Sequence, residues 1–276
     1  MSELKPGLPE RLERVRGELA AAERAAGRPA GSVRLIAVGK TFPVEACEEA
    51  YACGQRAFGE NYVQEGVEKI VHFRAVHPED PGEWHFIGPL QANKTRLVAE
   101  HFDWVQSVDR LRIASRLSAQ RPAGMPPLNI LIEVNIDGEE TKSGVAPSEV
   151  EAFADEIAGY PGLRLRGLMA IPAPAADSES RRRPLAAMRA LFERLRVKHP
   201  GMDTLSMGMS ADMDEAVSEG DHGEGRQGRL RTARLFGEVR RLRQLDAENA
   251  FRRENPIMMP RRPARAHFGG GFSIWW

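Results

Sequence analysis

The sequence predicts an α/β fold in which parallel strands alternate with helices and close into a (β/α)8 TIM-like barrel. Short apolar runs, which are typical of buried strands, alternate along the chain with segments of helical periodicity. One strand and one helix together take about thirty residues, which fits the roughly 250 residues of an eightfold barrel. The chain has 276 residues, of which 42% are hydrophobic, so it can bury one sizeable core.

The strands are indicated by apolar runs that end at Gly or at a polar residue. The clearest is the run NILIEVNI at 129–136. Its length and its content of β-branched residues favour a strand that is buried on both faces. Seven strands are predicted, over residues 33–38, 56–61, 84–88, 104–108, 129–136, 163–171 and 204–209.

The helices are indicated by apolar residues at helical spacing and by flanking Pro and Gly residues. The first helix places Leu8, Leu12 and Val15 on one face, and Gly27 ends it. Pro43 stands in the first turn of the second helix, a position that tolerates its missing N–H group. Eight helices are predicted, over residues 8–27, 43–53, 62–71, 92–100, 109–119, 147–159, 184–198 and 210–220.

The eighth strand of the barrel is missing or altered after residue 220, because no apolar run follows Gly220. We therefore predict a barrel domain over residues 1–220 and an Arg-rich, irregular tail over 221–276. The tail contains 12 Arg, no Lys and six acidic residues. One interpretation of this composition is a basic arm that attaches to nucleic acid or to an anionic membrane, although no recognition motif accompanies it.

Composition and charge exclude several classes of protein. Lys and Arg number 39 and so do Asp and Glu, so the neutral chain does not have the basic balance of a general nucleic-acid binder. No run of about eighteen apolar residues predicts a membrane span. The first ten residues lack a signal-peptide pattern, and Cys47 and Cys53 are too few for a disulfide framework. We expect a cytoplasmic protein without a metal site.

Candidate functional residues follow the predicted strands, because the loops after the strands build the active face of such a barrel. Lys40 comes directly after the first strand, where a desolvated amine could form a Schiff base with an aldehyde. A lysine that merely extends its amine to solvent is the alternative. Asn61 ends the second strand and could bind a ligand or cap the next helix. Ser210 opens the last helix and could hold a phosphate or act as its N-cap.

Other polar or sulfur-containing residues have simpler interpretations. His85 lies between Trp84 and Phe86 and is predicted to be a hydrogen-bonded core residue. Lys94 and Lys142 follow strand ends and could face either the site or solvent. Met207 and Met209 are typical of core packing, and Cys47 and Cys53 of small buried apolar residues.

Five segments resemble the pyridoxal phosphate homeostasis protein family, whose members are similar to the N-terminal barrel domain of alanine racemase. The segments are AVGKT at 37–41, FGENY at 58–62, WHFIGPLQANK at 84–94, GLMAIP at 167–172 and SMGMSAD at 206–212. They occur in the family's order, and the resemblance runs from about residue 8 to Gly220. One departure is Gly39, where the family usually has Ser.

The resemblance implies a barrel that binds pyridoxal 5′-phosphate (PLP) as an internal aldimine on Lys40. Asn61 and Met209 would then lie against the cofactor, and Ser210 would contact its phosphate. The implied function is intracellular PLP homeostasis by a protein that is not an enzyme, with PLP-dependent apo-enzymes as recipients. The alternative is a PLP-dependent amino-acid racemase, which needs a base on each face of the cofactor.

A change of reading frame near codon 220 would explain the altered ending. The family pattern closes with a strand similar to Val-Arg-Ile-Gly followed by Thr or Ser, and its Arg and Gly–Thr backbone hold the cofactor. Codons for residues from 221 onward, read from the second base, can encode Thr-Met-Val-Arg-Val-Gly-Arg-Ala-Ala-Phe-Gly. Codon degeneracy makes this match suggestive only, and resequencing of independent DNA tests it. We expect the chain as given to bind PLP more weakly than its in-frame parent.

Overall fold

The computed structural model describes residues 7–209, 211–220 and 233–235. Within them, strands and helices alternate from the first strand onward, as the sequence predicts. The strands are β1 (Leu35–Val38), β2 (Ala57–Glu60), β3 (Glu83–Phe86), β4 (Trp104–Val108), β5 (Leu128–Glu133), β6 (Leu163–Met169), β7 (Thr204–Ser206) and β8 (Ala233–Leu235). The helices are α1 (Leu8–Ala25), α2 (Val44–Ala52), α3 (Val63–Val76), α4 (Thr95–His101), α5 (Leu111–Gln120), α6 (Val150–Ala158), α7 (Ser178–Lys198) and α8 (Met213–Glu219).

The eight strands form one parallel sheet in the order β7-β6-β5-β4-β3-β2-β1-β8. This sheet is strongly curled. Ser206 of β7 donates a hydrogen bond from Oγ to Oε1 of Gln106 in β4 over 2.7 Å. In a flat sheet these strands would lie about 14 Å apart, since neighbouring strands are spaced by about 4.8 Å. Only a barrel-like curvature brings the two side chains together.

A line of hydrogen bonds continues from Gln106 through the interior of the sheet. Gln106 donates from Nε2 to Nδ1 of His85 over 2.8 Å, and Nε2 of His85 lies 2.8 Å from Oε1 of Glu83. Glu83 in turn forms an ion pair with Arg34. His85 is 3% exposed, so the prediction of a hydrogen-bonded core histidine is confirmed.

The first and the last described helices, α1 and α8, pack against each other on the outside of the sheet. Leu12, Val15 and Leu19 of α1 pack with Met213 and Val217 of α8 in one apolar cluster. Since α8 follows β7 and α1 precedes β1, this packing brings together the helices next to the last and first of the seven predicted strands.

The eighth strand is altered rather than missing. Ala233–Leu235 pairs with β1 in parallel, with Leu35 opposite Ala233 and Ala37 opposite Leu235. Three residues are too few to produce a recognisable strand pattern, so this strand cannot be predicted from periodicity. This strand falls inside the range predicted to be irregular, and the other residues of that range lie outside the described part of the chain. The domain boundary at residue 220 and the change of reading frame stay predictions.

Helix α7 begins earlier than predicted. The sequence placed its start at Pro184, but the helix begins at Ser178 with Asp177 as N-cap. The Asp177 side chain accepts hydrogen bonds from the backbone N–H of Ser180 over 2.8 Å and from its hydroxyl over 2.7 Å. A good cap therefore starts the helix, and Pro184 lies inside it, where its ring removes one backbone donor.

In the described part of the chain, no helix is long and apolar enough to cross a membrane.

Candidate functional site

Lys40 lies at the carboxyl end of β1, where a sharp turn leads the chain into α2. The N–H of Gly39 donates to the carbonyl of Gly59 over 2.9 Å and so extends the pairing of β1 with β2. Lys40 is half-buried. Thr41 has a φ of +65°, an unusual conformation for a residue with a side chain, and its N–H donates to Oε2 of Glu65 over 3.0 Å. The turn therefore fixes the direction in which the chain leaves the strand.

Asn61 lies at the carboxyl end of β2, the strand next to β1. Its Oδ1 atom is buried and has no hydrogen-bond partner in the described part of the chain. Such atoms are rare, because burying an unpaired acceptor costs about 1–3 kcal/mol. Gly88 allows the segment after β3 to approach closely, since a Cβ atom there would lie 2.5 Å from the Asn61 carbonyl oxygen. The structure places Lys40 and Asn61 at one edge of two paired strands.

A buried ion pair lies beside Lys40. Nζ of Lys69 in α3 donates to Oε1 of Glu60 over 2.7 Å and to the carbonyl of Gly39 over 2.8 Å. The Lys69 and Glu60 side chains are 5% and 0% exposed. Burial raises the pKa of the Glu60 carboxyl to about 7, against the opposing effect of the Lys69 ammonium. Oε2 of Glu60 is buried without a hydrogen-bond partner among the described residues.

The sequence interpretation missed a role for Glu60 and Lys69. A usable indication existed, because Lys69 falls among Gly66, Ile70 and Phe73 on the buried face of α3. A lysine on an apolar helix face needs a buried partner.

Met209 follows β7 and is half-buried. Its backbone N–H donates to Oδ1 of Asp212 over 2.5 Å, and the N–H of Asp212 donates back to the Met209 carbonyl over 3.2 Å. Gly208 has a φ of +89°, and a Cβ atom there would lie 2.4 Å from Ala216. This loop is thus tightly folded. Ser210 lies outside the described residues, so its contact with a phosphate stays a prediction, as does the contact of Met209 with the cofactor.

The remaining candidates have structural surroundings. Lys142 forms ion pairs with Asp137 over 3.1 Å and Glu139 over 3.2 Å. Lys94 is the N-cap residue of α4. Cys47 is buried and Cys53 is half-buried, and both are free thiols. Over residues 7–209 and 211–220, no group of three or more His, Cys, Asp or Glu side chains is arranged to hold a metal ion.

The model of the alanine racemase N-terminal domain family matches residues 11–228. The pyridoxal phosphate homeostasis protein of Vibrio cholerae is 52% identical over 209 residues, which make up 76% of this chain and 89% of that protein. The chain belongs to the pyridoxal phosphate homeostasis protein family. The resemblance carried by the five sequence segments is therefore confirmed.

Two solved structures are similar in fold to this chain. PipY of Synechococcus elongatus PCC7942, solved with PLP bound, is 32% identical, with a TM-score of 0.65; the match covers 80% of this chain and 97% of PipY. Alanine racemase of Corynebacterium glutamicum is 15% identical, with a TM-score of 0.57, covering 81% of this chain and 59% of the racemase. At that identity the second match shows the shared fold alone.

Proposed function

We propose that this chain binds PLP through Lys40 and takes part in PLP homeostasis as a carrier rather than as an enzyme. The observation that carries the proposal is that Lys40 and Asn61 follow two paired strands at the carboxyl edge of the sheet, and that Oδ1 of Asn61 is buried and unpaired among the described residues. In barrels of this type the loops at that edge form the ligand site.

The residues present fit PLP. When bound, PLP supplies an aldehyde that joins reversibly to a lysine amine with loss of one water. Lys40 provides the amine, and the tight turn at Thr41 holds the direction of its backbone. Asn61 provides a polar side chain whose oxygen has no protein partner among the described residues. We assign Met209 to the cofactor site, because it follows β7 at the same edge of the sheet, and the resemblance to the family adds Ser210 as the phosphate contact.

The proposal of a carrier is supported by the extent of the matches. The chain covers 89% of the homeostasis protein of V. cholerae, a protein whose name states no catalytic activity. It covers only 59% of the racemase chain. Racemisation requires a base on each face of the bound amino acid. We propose PLP-dependent apo-enzymes as the recipients of the cofactor and the cytoplasm as the compartment.

An absorbance titration with PLP tests the role of Lys40. The wild-type chain is expected to develop the visible band of a PLP–lysine adduct, and Lys40→Ala to lose it. Lys198→Ala is a matched control, because Lys198 lies on the outer helix α7 in an ion pair with Asp155. A band that survives in Lys40→Ala, or disappears equally in Lys198→Ala, would contradict the assignment.

A racemase assay with both enantiomers of alanine tests the carrier proposal. We expect no turnover above the rate of free PLP. Turnover that depends on Lys40 would make the chain an enzyme.

A further inference from the structure

The Glu60–Lys69 pair acts as a clamp on the segment that carries Lys40. Through its ammonium group, Lys69 joins α3 to the end of β2 and to the carbonyl of Gly39, the residue directly before Lys40. Both side chains are almost fully buried. Removing one partner of such a pair leaves an uncompensated buried charge, which is strongly unfavourable. The clamp therefore resists movement of the Gly39–Lys40 segment.

The Glu60 carboxylate lies directly against this segment. A Cβ atom on residue 39 would come within 2.6 Å of Oε1 of Glu60. Glycine at position 39 thus leaves the space that the carboxylate occupies.

The charge of Glu60 reaches Lys40. The positive charge of Lys40 lowers the pKa of Glu60, although burial has the largest effect and raises that pKa. Because attraction between charges is mutual, an ionised Glu60 favours the ammonium form of Lys40. Lys69 and Glu65 of α3 also act on the Glu60 carboxyl, and the charge of Glu60 acts in turn on the Cys47 thiol of α2. Burial raises the pKa of that thiol to about 12, so Cys47 carries no charge.

The second carboxyl oxygen of Glu60, Oε2, is not used by the ion pair with Lys69. It is buried and has no hydrogen-bond partner among the described residues, although the same carboxyl binds Lys69 through Oε1. A proton taken up by this carboxyl can lie on Oε2, so that Oε1 still accepts from Lys69 while the attraction between the two charges is lost.

We propose that Glu60 is a positioning residue for PLP capture, because its clamp with Lys69 fixes the Gly39–Lys40 segment and its charge governs how readily the Lys40 amine gives up its proton. An amine must be uncharged to attack an aldehyde. This inference rests on the proposed function of Lys40, but its test is made on the protein without PLP.

The test measures the reactivity of the Lys40 amine as a function of pH. The full chain is treated with acetic anhydride, and acetylation at Lys40 is quantified by peptide mass spectrometry. In the wild type, the rate should rise with pH and then bend below the expected line as Glu60 ionises near its pKa of about 7. In Glu60→Gln the bend should vanish. One pH unit above the Glu60 pKa, the variant should react about three- to tenfold faster, and one unit below it the two rates should agree.

Two further variants separate charge from structure. Glu68→Gln removes an exposed carboxylate from the same helix and should reproduce the wild-type profile. If Glu60→Gln does not fold, as judged by circular dichroism, the double variant Glu60→Gln/Lys69→Met removes both buried charges, and it too should lack the bend.

Two results would overturn the proposal. One is a wild-type profile without a bend, which needs no variant to be observed. The other is a ratio of the Glu60→Gln and wild-type rates that stays the same at every pH, since a purely structural clamp would behave in that way. Either result, obtained while Lys40→Ala still abolishes the PLP band, removes only this inference and leaves the proposed function intact.

Discussion

At the scale of single residues, Glu60 and Asn61 are unusual because each buries a side-chain oxygen without a partner in the described part of the chain. Two such atoms in consecutive residues, beside a half-buried lysine, concentrate polar groups where the surrounding strands are apolar. An unpaired buried oxygen lowers stability unless a ligand or a proton satisfies it. Stability and binding should therefore respond differently to substitution at these positions.

Asn61→Ala is expected to weaken PLP binding about two- to tenfold, because one hydrogen bond contributes roughly 0.5–1.5 kcal/mol. Its free energy of unfolding without PLP should stay the same or rise, since the oxygen removed has no protein partner among the described residues. PLP titration and urea unfolding measure the two quantities. Asn129→Ala is the control: Asn129 accepts from Arg166 over 2.9 Å, so that variant should lose stability and keep its PLP affinity. Loss of stability without loss of affinity in Asn61→Ala would contradict the prediction.

His85 gives a pH dependence with a definite sign. Burial lowers its pKa below the ordinary 6.5, so the folded protein resists the proton that the unfolded chain accepts. The free energy of unfolding should therefore fall as pH drops below about 6.5. His85→Gln can keep both hydrogen bonds without titrating and should lose less stability over the same range. Urea unfolding at several pH values measures this, and equal losses in both proteins would show that other groups dominate.

At the scale of elements, β6 depends on a glycine. Gly167 has a φ of +154°, and a Cβ atom there would lie 1.7 Å from the carbonyl oxygen of Thr204 in β7. The pairing of β5 with β6 shifts register next to it, between Ile130 and Leu131. A glycine at such an irregularity permits the close approach of the neighbouring backbone. The position of β7, and of the Met209 loop that follows it, thus depends on Gly167.

Gly167→Ala is expected to lower the free energy of unfolding by about 3 kcal/mol, because the added methyl group has no space and the backbone conformation disfavours it. Gly124→Ala is the matched control, since a Cβ atom at Gly124 meets nothing within 4 Å. Urea unfolding of both variants measures the difference. Similar stabilities would mean that β7 moves away from β6 at little cost.

At the scale of the whole molecule, the strands at the ends of the sheet differ from the helices that pack against each other outside it. The ends of the sheet are β7 and β8, whereas α1 and α8 pack directly against each other. Strand β8 gives β1 a partner on its second side, so Lys40 follows a strand that is paired on both sides. The pairing of β8 with β1 therefore bears on the position of Lys40.

A version with the reading frame restored after Gly220 should bind PLP at least about tenfold more tightly. The family pattern implies an Arg and a Gly–Thr backbone against the ligand there. A contact to a charged group contributes roughly 1.5–3 kcal/mol, and each 1.4 kcal/mol is a factor of about ten. Dissociation constants from parallel absorbance titrations measure the effect. Equal constants for the two versions would show that the altered ending does not weaken the site.

Much of the fold could be predicted from sequence because local patterns encode it. Periodicity predicts the seven apolar strands and the helices between them. Lys40 and Asn61 lie at strand ends as predicted, and their contact with the cofactor stays a prediction. The start of α7 was missed because Pro184 suggested a first turn, while the cap at Asp177 decided the boundary. Strand β8 was missed because three residues have no period and its partner β1 is distant in sequence. The Glu60–Lys69 pair spans only nine residues, and a lysine on the buried face of α3 indicates it. Its contact with the Gly39 carbonyl could not be predicted, because that contact depends on how α3 packs beside the end of β1.

The hydrogen bonds from Ser206 through Gln106 to His85 also bear on the route by which a cofactor can enter and leave the barrel. They run through the interior of the barrel, and all three side chains are buried. These three side chains fill the part of the interior between β3, β4 and β7. A cofactor bound at Lys40 would therefore both enter and leave at the face formed by the carboxyl ends of the strands. Uptake of PLP and its transfer would then exclude each other in time. A recipient enzyme would have to bind at the same face of the barrel at which free PLP enters.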